Sequence, residues 1–107
     1  MPKYLISASY SSDGVKGLLA EGGTKRRETI QKLVTGMGGM MESFYYAFGS
    51  DDLFVIVDLP DQAAMTAISL GVSATGSVSN VNTTVLITPE EIDQAAQIRV
   101  NYTPPGA

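Results

Sequence analysis

The sequence predicts an α+β domain with the element order β-α-β-β-α-β followed by a short helix. Three observations predict it. Two apolar, aromatic-rich runs flank the polar connector Gly49–Asp52, which is typical of a β-hairpin. Helical periodicity both precedes and follows that hairpin. After a further strand pattern, Thr88–Glu91 has the composition of a helix N-terminus, with a capping threonine, a proline and two glutamates.

The first strand is predicted over Lys3–Tyr10, with Tyr4, Ile6, Ala8 and Tyr10 on one face. Asp13 is predicted to cap the helix that follows. The apolar stripe of that helix is interrupted at Gly22–Gly23, where we expect a break with Thr24 capping the second part. A glycine cluster at 36–39 then ends the helix. Because the cluster follows a helix and precedes a strand, it does not indicate a phosphate-binding loop.

The hairpin strands are predicted over Met40–Phe48 and Leu53–Leu59, with large side chains on both faces. Phe44, Tyr46 and Phe48 are predicted on one face, and Met41 and Tyr45 on the other. Both faces therefore need cover, and the helices of one chain can cover only one of them. The second face is predicted to pack on another subunit or to enclose a ligand.

The third helix is predicted over Gln62–Ala74, capped by Asp61, with small residues such as Gly71 allowing close contact with the sheet. The last strand is predicted over Val81–Ile87. A final helix is expected to reach about Gln97, as the capping box at its start indicates. That helix is expected to bury Ile92, Ala95 and Ala96. The domain thus covers residues 1–97, and residues 98–107 form an extended or flexible tail.

Composition restricts the possible functions. The chain has 107 residues, 44% of them hydrophobic, and a formal net charge of −4, which argues against nucleic acid as a partner. It contains no cysteine and no histidine, which removes thiol chemistry, the commonest metal ligand and every histidine-dependent nucleophile. No metal or cofactor is therefore expected. The sequence shows neither a signal-peptide pattern nor a long apolar run, so we expect a cytoplasmic protein without a membrane partner.

Four residues are candidates for a ligand site, and each has a structural alternative. Asp52, next to Asp51, could act in a carboxylate pair or could form hydrogen bonds of the turn. Arg27, in the basic run at 25–27, could hold an anion or could lie on a solvated face paired to an acidic neighbour. Tyr10 and Tyr46 could line a pocket or could pack in the core or an interface.

The predicted elements correspond to the split β-α-β arrangement of ferredoxin-like domains, a four-stranded antiparallel sheet with both main helices on one face. Ordered landmarks along residues 1–97 also resemble the GYD-domain family. They are Met1–Ile6, Ser9–Tyr10, Gly17–Arg27, Gly38–Gly39, Phe44–Gly49 and Val57–Asp61. The resemblance implies a ferredoxin-like fold related to dimeric α/β barrel proteins, in a mainly bacterial group without an established activity. Gly49 and Asp52 fit the glycine and the aspartate of the motif that names the family. Asp51 occupies the position where the family motif has a tyrosine.

We therefore expect a homo-oligomer, in the first instance a dimer, that binds a small, partly apolar molecule in a cavity between two sheets. Two alternatives remain open at this point. One is a cofactor-independent oxygenase or isomerase of the dimeric α/β barrel type, which would have to use Asp52, Arg27 or a tyrosine. The other is a structural or regulatory subunit without a ligand.

Overall fold

The computed structural model describes residues 1–106. The elements are β1 (Lys3–Tyr10), α1 (Ser12–Glu21), α2 (Gly23–Gly36), β2 (Met40–Tyr46), β3 (Leu53–Asp58), α3 (Gln62–Ala74), β4 (Val78–Leu86) and α4 (Pro89–Ala96). The strands form one antiparallel sheet in the order β2-β3-β1-β4. This is the ferredoxin-like α+β fold that the sequence predicts. Within residues 1–106, no helix is both long enough and apolar enough to traverse a lipid bilayer.

The hydrophobic core lies between one face of the sheet and helices α2 and α3. Alternate residues of β3 are buried there, since successive side chains of a strand point to opposite faces. The core consists of Tyr4, Val34, Leu53, Val55, Val57, Leu59, Met65 and Ile68. On the other face, which we call the open face, Leu5 lies opposite Ile56 and both are only half-buried. Phe54 shares that face and is half-buried as well.

Strand β2 differs from the prediction because it contains a β-bulge between Met41 and Ser43. Met41 pairs with Val57 and Phe44 with Val55, so both lie on the helix side of the sheet. The prediction that Met41 lies on the opposite face from Phe44 is therefore wrong, since an extra residue reverses the alternation. Tyr45 does lie on the open face. Phe48 shares neither face, because it follows the end of β2 and is fully exposed.

The break between α1 and α2 is confirmed, whereas the predicted N-caps of both helices are wrong. Gly22 adopts a φ of 96°, a backbone conformation that side chains other than glycine rarely tolerate, and α2 starts at the next residue. Thr24 therefore lies inside α2. The cap of α1 is Ser11, whose side chain accepts a hydrogen bond from the Gly14 N–H at 3.1 Å, and Asp13 falls in the first turn.

The caps of the last two helices are confirmed. Asp61 accepts the Ala64 N–H at 2.9 Å at the start of α3. At the start of α4, Thr88 accepts the Glu91 N–H at 3.1 Å and the Glu91 carboxylate accepts the Thr88 N–H at 3.2 Å. These bonds satisfy first-turn donors that have no partner within the helix.

Helix α4 is nevertheless not packed as predicted. None of its residues is buried, and Ile92 is 55% exposed. The chain has a radius of gyration of 17.1 Å and a longest dimension of 58 Å. A compact domain of this length would have a radius of gyration of about 13 Å. The molecule is thus elongated, and the expectation that Ile92, Ala95 and Ala96 are buried is wrong within the single chain.

Candidate functional site

A cavity of about 170 Å³ lies beneath the break between α1 and α2, and we call it the Tyr10 chamber. Residues from every strand except β2 and from the three core-facing helices contribute to its walls. Its apolar walls are Leu18, Ile30, Leu53, Val72 and Val78, and its polar lining residues are Tyr10, Asp13, Arg26 and Ser77. A cavity of about 150 Å³ can hold a molecule the size of benzene. The chamber therefore has room for a compact ligand.

The hydroxyl group of Tyr10 is buried in the wall of this chamber and has no hydrogen-bond partner. Among residues 1–106, it is the one buried side-chain nitrogen or oxygen atom that lacks a hydrogen-bond partner. Leaving such a group unpaired costs about 1–3 kcal/mol. Burial raises the pKa of Tyr10 to about 12, with the neighbouring Tyr46 adding to the effect. At neutral pH Tyr10 is thus a protonated phenol that can donate a hydrogen bond.

Tyr46 lies beside the chamber and connects β2 to the helix break. Its hydroxyl donates to the Gly23 carbonyl oxygen at 3.0 Å, and its ring packs edge-on against Phe44 with centroids 5.3 Å apart. Burial raises the pKa of Tyr46, and the positive charge of Arg26 opposes the increase. Tyr46 therefore has the hydrogen bond that Tyr10 lacks.

Arg26 forms an ion pair across the helix break. Its Nε atom donates to the Glu21 carboxylate at 2.8 Å, and a second guanidinium nitrogen lies 2.6 Å from the same oxygen. Both side chains are partly buried. The positive charge at the edge of the chamber is thus already balanced by a carboxylate.

Of the four predicted site residues, the structure places Tyr10 and Tyr46 close together on the helix side of the sheet. Asp52 accepts the Tyr10 backbone N–H at 3.0 Å, so its carboxylate extends the pairing at the end of β1, as the turn alternative describes. Arg27 lies outside the chamber, in a shallow surface depression that Tyr45 and Tyr46 also line. The ion pair foreseen for Arg27 belongs to Arg26 instead.

The two tyrosines therefore do not line the cavity that the sequence analysis expected between two sheets. Tyr10 and Tyr46 face α1 and α2, whereas a cavity between two sheets would be lined by the open face. On the open face, Lys3 Nζ binds Glu42 at 2.9 Å and Asp58 at 3.0 Å. The hydrogen bonds to Glu42 and then Asp58 raise the pKa of Lys3. Asp58, the last residue of β3, thus has a charged donor. No group of three or more potential metal ligands occurs in the described part of the chain.

The model of the GYD domain family matches residues 4–96. The chain belongs to the GYD domain family. The family resemblance drawn from the sequence landmarks is therefore confirmed. No curated protein matches this GYD domain.

Three solved structures resemble this GYD domain at low sequence identity, which shows the fold alone. MtbAldR is 16% identical with a TM-score of 0.60, over 81% of this chain and 53% of that one. FFRP-DM1 is 19% identical with a TM-score of 0.52, over 81% of this chain and 100% of that one. A hypothetical protein, PHS023 from Pyrococcus horikoshii, is 17% identical with a TM-score of 0.52, over 82% and 92% of the two chains. The GYD domain spans about half the length of MtbAldR.

Sequence patterns do not identify Arg26 and Glu21 of this GYD domain as a pair. They are five residues apart and lie on opposite sides of a break, whereas helical pairing rules connect residues three or four apart. The signal available is the order acid, Gly22-Gly23, base, which a break can bring together. Ser77 is also missed, because its carbonyl oxygen accepts the Ser11 N–H at 3.0 Å only once the fold has formed.

Proposed function

We propose that this GYD domain is a homo-oligomeric binding module that takes a small molecule in the Tyr10 chamber, and not between two sheets. The observation that carries the proposal is the Tyr10 hydroxyl, a buried donor without a partner at the wall of a cavity of about 170 Å³. Buried polar groups in folded proteins are almost always hydrogen-bonded, so an exception calls for an explanation such as a functional role or a bound partner. A ligand oxygen supplies the missing partner.

The walls of the chamber indicate the class of ligand. Most are apolar, so the bound molecule is compact and largely apolar, with at least one hydrogen-bond acceptor for the Tyr10 hydroxyl. The Arg26 guanidinium is already neutralised by Glu21. A neutral ligand such as a small aldehyde or ketone therefore fits better than an anion.

Two probes of similar size test this proposal, benzaldehyde with an acceptor oxygen and toluene without one. We expect NMR titration of the native protein to move resonances of residues around the chamber, with benzaldehyde binding more tightly than toluene. In a Tyr10→Phe variant the preference for benzaldehyde should disappear. Tyr45→Phe is the matched control, because it removes a phenol hydroxyl from the open face. Failure of both probes to perturb the chamber, or an unchanged preference in Tyr10→Phe, would contradict the proposal.

The open face supports the oligomeric part of the proposal. Leu5, Phe54 and Ile56 form an apolar strip there that is only half-buried in one chain. Pairing two such faces removes apolar surface from water at about 25 cal/mol per Å². We therefore propose a dimer in which two sheets pack face to face, the assembly expected from the sequence.

The catalytic alternative has less support from the geometry. A phenol whose pKa is raised to about 12 is a hydrogen-bond donor at neutral pH and a poor general base. Asp52, the other candidate for proton transfer, already accepts a backbone N–H. The protonated Tyr10 phenol and the hydrogen-bonded Asp52 carboxylate therefore favour ligand binding without catalysis.

A further inference from the structure

The outer surface of α3 is unusual for a helix that faces water. Its 13 residues include no charged side chain. Leu70 is 67% exposed, and the neighbouring Ala67 and Gly71 are exposed as well. A helix at the surface of a globular protein usually carries charged or polar residues on its outer face, whereas the outer face of α3 includes Leu70 and several small residues. The composition of α3 therefore indicates that something packs on its outer surface.

A groove of about 390 Å³ runs between α2 and α3 on this outer side. Ile30 and Leu33 of α2 and Met37, which follows the helix, form one wall, and Ile68 and Val72 of α3 form the other. The walls are apolar, so exposure of the groove leaves hydrophobic surface in water. Its position between two helices suits a third helix.

Gly71, which also lines the groove, has no packing reason within the chain. A Cβ atom added there meets nothing within 4 Å, so the sequence-based expectation of close contact with the sheet is wrong. Glycine inside a helix lowers stability relative to alanine, and its usual benefit is the close approach of another backbone. The missing side chain at Gly71 fits an external segment lying against α3.

The chain itself carries a segment of matching chemistry, residues 87–103, which we call the C-terminal arm. Its apolar side chains Ile92, Ile98, Val100 and Tyr102 are between 55% and 77% exposed. The capping box at Thr88 and Glu91 holds α4 as a helix before any docking occurs. The arm is thus a preformed helix followed by an extended apolar stretch, and it buries none of its α4 residues against its own domain.

Charge also matches between the arm and the groove. Helix α4 contains three acidic residues and no basic one, whereas α2 contains four basic residues and one acidic one. Lys25 and Lys32 of α2 are exposed, and each is adjacent in sequence to a residue that lines the groove, Arg26 or Leu33. The acidic helix and the two lysines beside the groove attract each other, which favours one orientation of the arm.

We propose that the C-terminal arm of one copy docks in the α2–α3 groove of a second copy. Ile92 then packs beside Gly71, and the carboxylates of α4 face the basic side chains of α2. This contact uses the opposite side of the domain from the open face. It is therefore a second interface, independent of any pairing between sheets.

The absence of cysteine allows a direct test by cross-linking in the full-length protein. Ile92→Cys and Gly71→Cys are made as separate single variants and mixed under mild oxidation. A disulfide requires Cα atoms about 4.4–6.8 Å apart, so a mixed disulfide forms only if the arm reaches the groove of another chain. Ser73→Cys is the matched control, since it lies on α3 outside the groove. We expect mixed dimers with Gly71→Cys and few with Ser73→Cys.

Light scattering over a range of concentrations gives an independent measurement. Ile92→Asp on the arm and Gly71→Gln in the groove should each weaken association about tenfold or more. Ser73→Gln should leave it unchanged. A Cβ at position 71 meets nothing within 4 Å, so we expect Gly71→Gln to fold, and its circular dichroism spectrum and thermal midpoint separate a loss of association from a loss of folding.

Three results would overturn the inference. The first is equal cross-linking to positions 71 and 73. The second comes from a double variant that carries both Ile92→Cys and Gly71→Cys: a disulfide that forms within that chain, with none between the mixed single variants, would show that the arm folds back on its own groove. The third is unchanged association in both Ile92→Asp and Gly71→Gln. None of these results bears on the Tyr10 chamber, whose ligand titration is measured separately.

Discussion

Two tyrosines on the helix side of the sheet differ in whether the hydroxyl has a partner. Tyr46 donates to Gly23 at 3.0 Å, and Tyr10 has no partner. We expect Tyr10→Phe to raise the free energy of unfolding by about 1 kcal/mol, because it removes an unpaired buried hydroxyl. Tyr46→Phe should lower it by about 1 kcal/mol, because it removes a formed bond. Urea denaturation measures both, and a loss of stability in Tyr10→Phe would show that its hydroxyl has a partner.

The same residue predicts how stability changes at alkaline pH. Burial raises the pKa of Tyr10 to about 12. An unfolded tyrosine ionises near pH 10. The folded state therefore keeps a proton that the unfolded state has released, and the stability contributed by this group is lost as pH rises from about 10 to about 12. We expect Tyr10→Phe to reduce the slope of unfolding free energy against pH in that window.

Tyr46 and Lys3 contribute in the same direction, since their pKa values are also raised. The slope should therefore be reduced in Tyr10→Phe and not abolished. A slope identical to that of the unmodified protein would contradict the assignment of the buried phenol. Absorbance titration of the phenol groups gives an independent measurement on the same variants.

For individual residues, the sequence predicts which side chains are candidates for a site better than it predicts their hydrogen-bond and ion-pair partners. Strand alternation is enough to bring Tyr10 and Tyr46 forward as candidates. Which hydroxyl is bonded depends on where the helix break places the Gly23 carbonyl, and that position is set by the packing of the whole domain. The assignment of an ion pair to Arg27 fails for the same reason, because the break turns Arg26 towards Glu21.

Among the elements, the junction between α2 and β2 is tightly packed at Gly39. A Cβ added to Gly39 meets the Asp58 carbonyl oxygen, and it comes within 2.8 Å of Leu59 Cδ2. We expect Gly39→Ala to separate β2 from β3 and to lower the free energy of unfolding by about 1–3 kcal/mol. Gly36→Ala is the control, since a Cβ there meets nothing within 4 Å. Thermal unfolding measures the stability of both variants, and equal midpoints for Gly39→Ala and Gly36→Ala would contradict this close contact.

Element boundaries could be predicted where the signal is local. The α3 bounds agree because Asp61 and the N–H it accepts are three residues apart in the sequence. The bulge in β2 could not be predicted, since it depends on the register against β3. The cap of α1 moved to Ser11 because that residue is also bound to Ser77 and Gly76, which are distant in sequence.

For the molecule as a whole, the open face determines the predicted assembly. Ile56 points away from the core, so Ile56→Asp should disrupt sheet pairing and leave the fold of the chain intact. We expect association to weaken about tenfold or more, because a charge would be buried without a partner. Val15→Asp, on the exposed side of α1, is the control. Sedimentation that shows the same mass for Ile56→Asp and the unmodified protein would exclude this interface.

The overall topology follows from the sequence, because the order of periodic segments leaves few ways to form one antiparallel sheet. The position of α4 does not follow. Its amphipathic pattern predicts that Ile92 is covered, and the pattern does not specify whether the same chain or another one covers it. The sequence analysis predicted that the same chain buries Ile92. In the elongated molecule that side chain is exposed.

The position of β1 in the middle of the sheet also has a consequence during synthesis. β1 pairs with β3 on one side and with β4 on the other, although β4 is more than sixty residues later in the chain. During synthesis, each edge of β1 therefore stays unpaired until β3 or β4 has left the ribosome. We expect folding to be completed late in translation, and nascent chains that stop before β4 to be prone to aggregation.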